Sequence, residues 1–217
     1  MELKHLQNLA LFPLPNAVFF PDTLLPLHIF EGRYRAMFED ALSENRPVAI
    51  ALLKPGYEAT YEGQPETHEV AGLGEIIHSE KLPDGRFNVI LRGVARVRIL
   101  DEGPLNDGGY RQVCAELIND VESQPQDLQD HLVTLQGLIF ALGNLRPKLS
   151  ALLLNRFKSL PTPGEMTNNI ASILLATQTD RQATLEEASV LSRLKTINNQ
   201  LTQLILEANE TDPQALN

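Results

Sequence analysis

The chain has no tryptophan and a single cysteine, Cys114. One cysteine excludes an intramolecular disulfide and any metal site built from several thiolates. Cys114 itself reads as a small buried strand residue. Cations are scarce too. Eighteen Lys and Arg against 28 Asp and Glu leave a net charge of −10. That balance argues against a protein whose main task is to coat nucleic acid, because phosphate binding rests on Lys and Arg. No apolar run reaches the ~20 residues of a membrane span. The first 20 residues are broken by Pro13 and Pro15 and do not read as a secretory signal, so a cytoplasmic location is the default expectation. No G-x-x-x-x-G-K-S/T loop, no G-x-S-x-G elbow and no H-x-x-x-H pair occurs. The expectation is therefore a non-enzymatic protein with no cofactor and no metal site, and with neither nucleic acid nor membrane as a partner.

What is present is an ordinary globular composition, 43% apolar and 21% charged. The first half reads as β. Residues 9–14, 17–20 and 23–29 are extended runs punctuated by prolines, which suit strand edges or bends. A helix begins near Glu31, with Tyr34, Met37, Phe38, Ala41 and Leu42 at helical spacing, and ends at 45–47. Residues 48–53 form a strand buried on both faces. Residues 54–69 form a long polar loop. Residues 74–81 and 86–100 flank the turn Leu82-Pro83-Asp84-Gly85. In the second of these strands the odd positions, Phe87 to Ile99, are apolar. The even ones include Arg86, Arg92, Arg96 and Arg98, so one face is dry and one wet. Gly93 marks a bulge or bend. Residues 110–118 form a further strand, with Val113, Ala115 and Leu117 on one face.

Beyond residue 120 the period becomes helical. Leu128, Leu132, Leu135, Ile139 and Leu142 make one stripe, stopped by Gly143. A second helix runs from Pro147 to about Lys158. Thr162-Pro163-Gly164-Glu165 is a capping box for a third, to about Ala176. Thr184-Leu185-Glu186-Glu187 reads as another capping box, opening a long helix with Val190, Leu194, Ile197, Leu201 and Leu204 on one side. The expected fold is α+β. A β-rich pseudo-barrel domain with one inserted helix covers residues 1–120, an α-helical bundle domain 121–210, and a polar tail 211–217.

The opening run Pro21-Asp22 to Pro26-Leu27-His28-Ile29-Phe30-Glu31, followed by Arg33-Tyr34, resembles the opening signature of the N-terminal substrate-binding domain of the Lon (La) protease family. The strand around Leu91-Arg92-Gly93 and Arg96 resembles that family's L-x-G-x-x-R signature. Together these cover most of the first 118 residues, while the helical half is similar in placement only. Full Lon proteases continue into ATPase and protease modules. The present sequence ends at Asn217, so the resemblance implies a stand-alone substrate-recognition domain without that machinery. Cereblon carries a similar domain, but its ligand pocket is a tryptophan cage in a separate zinc domain. A chain without Trp does not inherit that activity.

The candidate contact residues are Phe19, Phe20, Arg92 and Arg96. Successive strand residues point to opposite faces, so one of Phe19 and Phe20 is exposed or in a groove unless the segment is covered on both sides. The arginine row either receives an acidic or carbonyl-rich partner segment or pairs with neighbouring carboxylates, the simpler reading. Arg33 and Arg35 are placed to pair with Glu31 or Glu39. His28 reads as a satisfied strand histidine. Glu58, Glu62, Glu66, Glu69 and His68 read as a solvated loop rather than a cation site. The expected function is polypeptide binding in a cleft between barrel and helices, with strand addition at a sheet edge as one available mode. Unfolded or extended protein segments are the expected partners, and a separate protease or chaperone is a further candidate. The alternative is a metabolite sensor using the same cleft.

Overall fold

The computed structural model describes residues 5–60, 63–121 and 123–211. The chain divides into two compact units, Met1–Asn119 and Asp120–Asn217. The first holds six strands: β1 (His5–Leu14), β2 (Leu24–Ile29), β3 (Val48–Leu52), β4 (Val70–Lys81), β5 (Phe87–Glu102) and β6 (Arg111–Ile118). Helix α1 (Gly32–Glu44) falls in the crossover between the parallel strands β1 and β3. The sheet order is β2-β5-β4-β3-β1-β6, and β6 also pairs with β5. The sheet thus closes on itself and, among the described strands, leaves β2 as an edge held by β5.

Glu31, in extended conformation, turns the chain into α1, and Asn45 ends it in the left-handed region at φ 51°. All five residues of β3 are buried, as the continuous apolar run implied. Its two faces serve two clusters. Val48 and Ile50 pack with Phe12, Tyr34, Met37 and Phe38 beneath α1. Ala49 and Ala51 pack with Leu9, Leu11, Val97 and Val113.

Several sequence expectations are corrected. The segment 17–20 is not a strand, and Phe19 and Phe20 are both buried, 2% and 1% exposed. The cause is a close crossing. The Phe19 carbonyl lies where a Cβ on Gly72 would be, and the Phe20 carbonyl lies where one on Gly93 would be. Glycines in neighbouring strands let the backbone pass at that distance.

The single wet face of β5 does not exist either. Leu73 pairs with Ala95 and Gly74 with Gly93, so Val94 is bulged. An extra residue moves every later side chain to the other face. Phe87, Val89 and Leu91 therefore join the cluster under α1, while Val97 joins the other. Arg96 is buried, 2% exposed. Leu117 is exposed although it follows Val113 and Ala115 in the alternation, because it lies past Ala115, the last buried residue of β6. Cys114 is half-buried and accepts a hydrogen bond from Gln7 Nε2 at 3.2 Å.

The loop after β3 is tied down at its stem. Lys54 N–H donates to the Glu66 carbonyl and His68 N–H to that of Leu52, both at 2.9 Å. Buried Arg111 donates to the Pro65 carbonyl at 2.8 Å and grips Glu102 with two nitrogens.

The second unit contains α2 (Pro125–Leu142), α3 (Pro147–Ser159), α4 (Pro163–Leu174), α5 (Gln178–Glu186) and α6 (Val190–Thr211). Thr162 caps α4 as read, accepting from Glu165 N–H. The capping box at Thr184 is wrong. Thr184 lies inside α5 and donates to the Asp180 carbonyl at 2.8 Å. The true cap is Thr177, which accepts from Asp180 N–H at 3.0 Å, a Thr-x-x-Asp pattern. Ser189 then accepts from Ser192 N–H at the start of α6. Gly143 closes α2 in a right-handed conformation. Of the tail expected at 211–217, Thr211 closes α6 and 212–217 lie outside the described residues.

Helix α6 packs on α2 and α4, α2 on α3, and α4 on both α3 and α5. Leu135, Ile139 and Leu142 of α2 and Leu194, Ile197 and Leu201 of α6 are completely buried. Arg193 of α6 is also fully buried. Its two terminal nitrogens hold Asp120 at 2.9 and 3.0 Å, and one also donates to the Glu187 carbonyl. Among the described residues no helix is long and apolar enough to cross a membrane.

Candidate functional site

Where β1 ends and β2 runs into α1, the first unit carries an apolar cleft of about 250 Å³. Phe12, Pro13, Leu14 and Pro15 form one wall. Leu27 to Phe30 form the other, and Glu31 and Tyr34 of the helix start close the end. The local sequence explains the shape. The prolines keep the end of β1 extended. The turn at Glu31 then lifts Phe30 out of the strand, leaving it 62% exposed at the rim.

The floor is rigid. The Tyr34 ring packs on Phe12 at 4.5 Å, and Phe12 meets Phe38 edge-on at 5.8 Å. The Arg33 guanidinium lies over Tyr34 at 4.7 Å and pairs with Glu31 at 3.0 Å, so the carboxylate at the end of the cleft is neutralised. Glu39, the other expected partner of this cation pair, is held by Lys81 instead, at 2.6 Å. His28 is exposed. Its Nδ1 lies 2.8 Å from Asn88 Oδ1 and its Nε2 3.2 Å from an Arg86 nitrogen. The network fits the neutral imidazole that donates from Nδ1 and accepts at Nε2. Chemically, the cleft offers apolar walls, one exposed aromatic ring and backbone groups.

A polar recess lies at the other end of α1. Arg46 donates there to the carbonyls of Gln7 and Asn8, each at 2.9 Å. Tyr110 donates its hydroxyl to Asp40 Oδ2 at 2.8 Å. Burial, and secondarily the bond to Asp40, pushes the Tyr110 phenol up to about 12. The fold thus favours the neutral phenol. That stabilisation is complete below the ordinary value of 10.0 and is lost as pH rises through about 12. In an alkaline titration of phenolate absorbance, Tyr110→Phe is expected to delete a late component near pH 12 and to blunt the alkaline fall in stability.

The sequence-predicted residues are not brought together. Phe19 and Phe20 are core. Arg92 is exposed and pairs with Glu75 at 2.9 Å. The bulge at Val94 places Arg96 on the opposite face of β5 from Arg92. Arg86 pairs with Asp84 at 2.6 Å, which holds that carboxyl below its ordinary value. Arg98 approaches Glu69 at 4.0 Å and Glu116 at 3.7 Å. The row is thus largely surface ion pairs, worth little individually. Of the loop carboxylates, Glu62 lies outside the described residues, and Glu66 pairs with Lys54 at 3.1 Å. Among the described residues no three His, Cys, Asp or Glu side chains gather as a metal site requires. The cleft residues that sequence reasoning missed, Leu27 to Glu31 and Tyr34, carried their own signal. A largely apolar run, interrupted by His28, ends in an aromatic residue just before a helix start.

Comparison with known proteins gives concordant results. The chain is 22% identical over 195 residues to the Lon protease of Desulfosudis oleivorans, covering 90% of this chain and 24% of that protein. It is 28% identical over 208 residues to the Lon protease of Syntrophus aciditrophicus, covering 91% of this chain and 26% of that protein. The chain thus spans about a quarter of the length of these relatives. In three dimensions it matches the N-terminal domain of a Mycobacterium avium complex Lon protease with a TM-score of 0.70 at 14% identity, over 89% of this chain and 97% of that one. The Lon N-terminal domain protein from Xanthomonas campestris matches with a TM-score of 0.58 at 22% identity, over 87% of this chain and 95% of that one. The family model of the ATP-dependent protease La (LON) substrate-binding domain spans residues 8–203, and the chain belongs to that family.

Proposed function

We propose that this chain is a non-enzymatic polypeptide-binding protein and that the apolar cleft between the end of β1 and β2 is its contact site. One observation carries the reading. Leu27 to Glu31 and Tyr34, which belong to the family's opening signature, line the cleft opposite residues 12–15. Its apolar walls and exposed Phe30 suit an apolar segment of another chain. In this reading the two compact units are separate domains, the second a helical bundle. A separate protease or chaperone receives the bound client. A metabolite site at this particular cleft fits less well, because about 250 Å³ behind an open rim is smaller than an ordinary small-molecule pocket of ~300–1,000 Å³.

The test is titration of the protein with reduced, carboxymethylated lactalbumin, a permanently unfolded chain. Saturable binding in the range of tens of micromolar is expected, weakened about fivefold or more by Phe30→Ser. Since Phe30 is mostly exposed, its replacement leaves the thermal midpoint in place. Unchanged binding by Phe30→Ser would remove the cleft from consideration.

A further inference from the structure

The strand β2 that supplies one wall of the cleft has an edge that no described strand covers. The Thr23 carbonyl accepts from Gly93 N–H at 2.9 Å, so the odd-numbered residues 23 to 29 turn their backbone groups toward β5. The even-numbered residues Leu24, Pro26 and His28 turn theirs to the free edge. Pro26, opposite Ile90 in the register, has no N–H to give. The edge therefore offers donors from Leu24 and His28 and none between them. A guest strand placed there would lose its central bond and meet the pyrrolidine ring. On the facing wall Pro13 and Pro15 likewise lack donors.

We propose that Pro26 determines how the cleft recognises its guest: an apolar segment is held by its side chains and is not added to the sheet as a strand. This inference rests on the cleft being the polypeptide site and specifies the mode of recognition there.

The experiment measures fluorescence anisotropy of a labelled peptide of about ten residues, with phenylalanines and leucines among serines. A second copy is N-methylated at alternate backbone nitrogens, which blocks strand pairing while keeping every side chain. Wild type is expected to bind the two peptides within about threefold of each other. Pro26→Val, which restores a donor to the edge, is expected to strengthen the unmodified peptide by about threefold or more and leave the methylated one unchanged. A larger loss on methylation with wild type would show strand pairing and overturn the proposal. So would a Pro26→Val protein, folded by its thermal midpoint, that treats the peptides alike. If neither peptide binds wild type, the reading of the cleft itself fails, and this inference with it.

Discussion

Asp120→Ala is expected to lower the thermal midpoint of the helical unit by about 10 °C or more. Asp120 supplies the carboxylate that neutralises Arg193, whose side chain is completely buried. Without that carboxylate, the guanidinium keeps its bond to the Glu187 carbonyl at 2.9 Å, which carries no charge. Breaking a buried ion pair from one side costs about 3–5 kcal/mol, because the remaining charge is desolvated and uncompensated. The lower end, about 3 kcal/mol, applies here. Asp120 is 40% exposed, and water can take part of its place. In a unit of this size that loss shifts the midpoint by roughly 10–20 °C. Asp120→Asn keeps an oxygen acceptor and is expected to lose less. Helical circular dichroism followed on heating checks both. A midpoint within a few degrees of wild type for Asp120→Ala would show the pair to be dispensable. Gly164 supports the close fit around this pair, since a Cβ there would stand 2.6 Å from Asp120 Oδ2.

Gly93→Ala is expected to destabilise the barrel unit by about 3 kcal/mol or more, at the upper end of the cost of overpacking. The added methyl group would collide with the Phe20 carbonyl and stand 3.0 Å from Pro21 Cα. That segment cannot retreat cheaply. Asp22 N–H donates to the Gly93 carbonyl and Gly93 N–H to that of Thr23, both at 2.9 Å, while Thr23 Oγ1 donates to the Phe20 carbonyl at 2.7 Å. Gly72→Ala meets the Phe19 carbonyl in the same way. Gly137→Ala is the control. Nothing lies within 4 Å of its added methyl, and alanine in a helix is expected to raise stability by about 1 kcal/mol. Urea unfolding followed by tyrosine fluorescence measures Gly93→Ala and Gly72→Ala, because all four tyrosines precede residue 120, and helical circular dichroism measures Gly137→Ala in the second unit. A Gly93→Ala midpoint equal to that of wild type would exclude the close crossing.

The legible parts of the fold are those set by short-range pattern. Alternation locates β5 and the Leu82–Gly85 turn places β4 beside it, the period of 3.6 locates α1, α2 and α6, and Pro147 marks the start of α3. Thr162 is recognisable as a cap because a Glu follows three residues later. Thr177 does the same work with Asp180, but the Thr184 pattern masks it, which hides α5 and misplaces the start of α6. The candidate site is legible as a motif but not as a surface. Two adjacent phenylalanines have the character of contact groups, yet Phe19 and Phe20 lie in the core. Phe30, unremarkable in the middle of the signature, stands at the rim.

Local pattern was enough to set the kinds of elements, nearly all of their order, and the family. Each of these depends on neighbours within a few positions, through side-chain period, proline and glycine placement, and capping. Long-range packing had to settle three further points: that β5 closes onto β6, that the bulge at Val94 sends Arg96 inward, and that glycines in β4 and β5 admit the Phe19–Phe20 crossing. These outcomes arise from contacts between residues far apart in the chain, and a one-residue shift in register exchanges the inside of a strand for its outside.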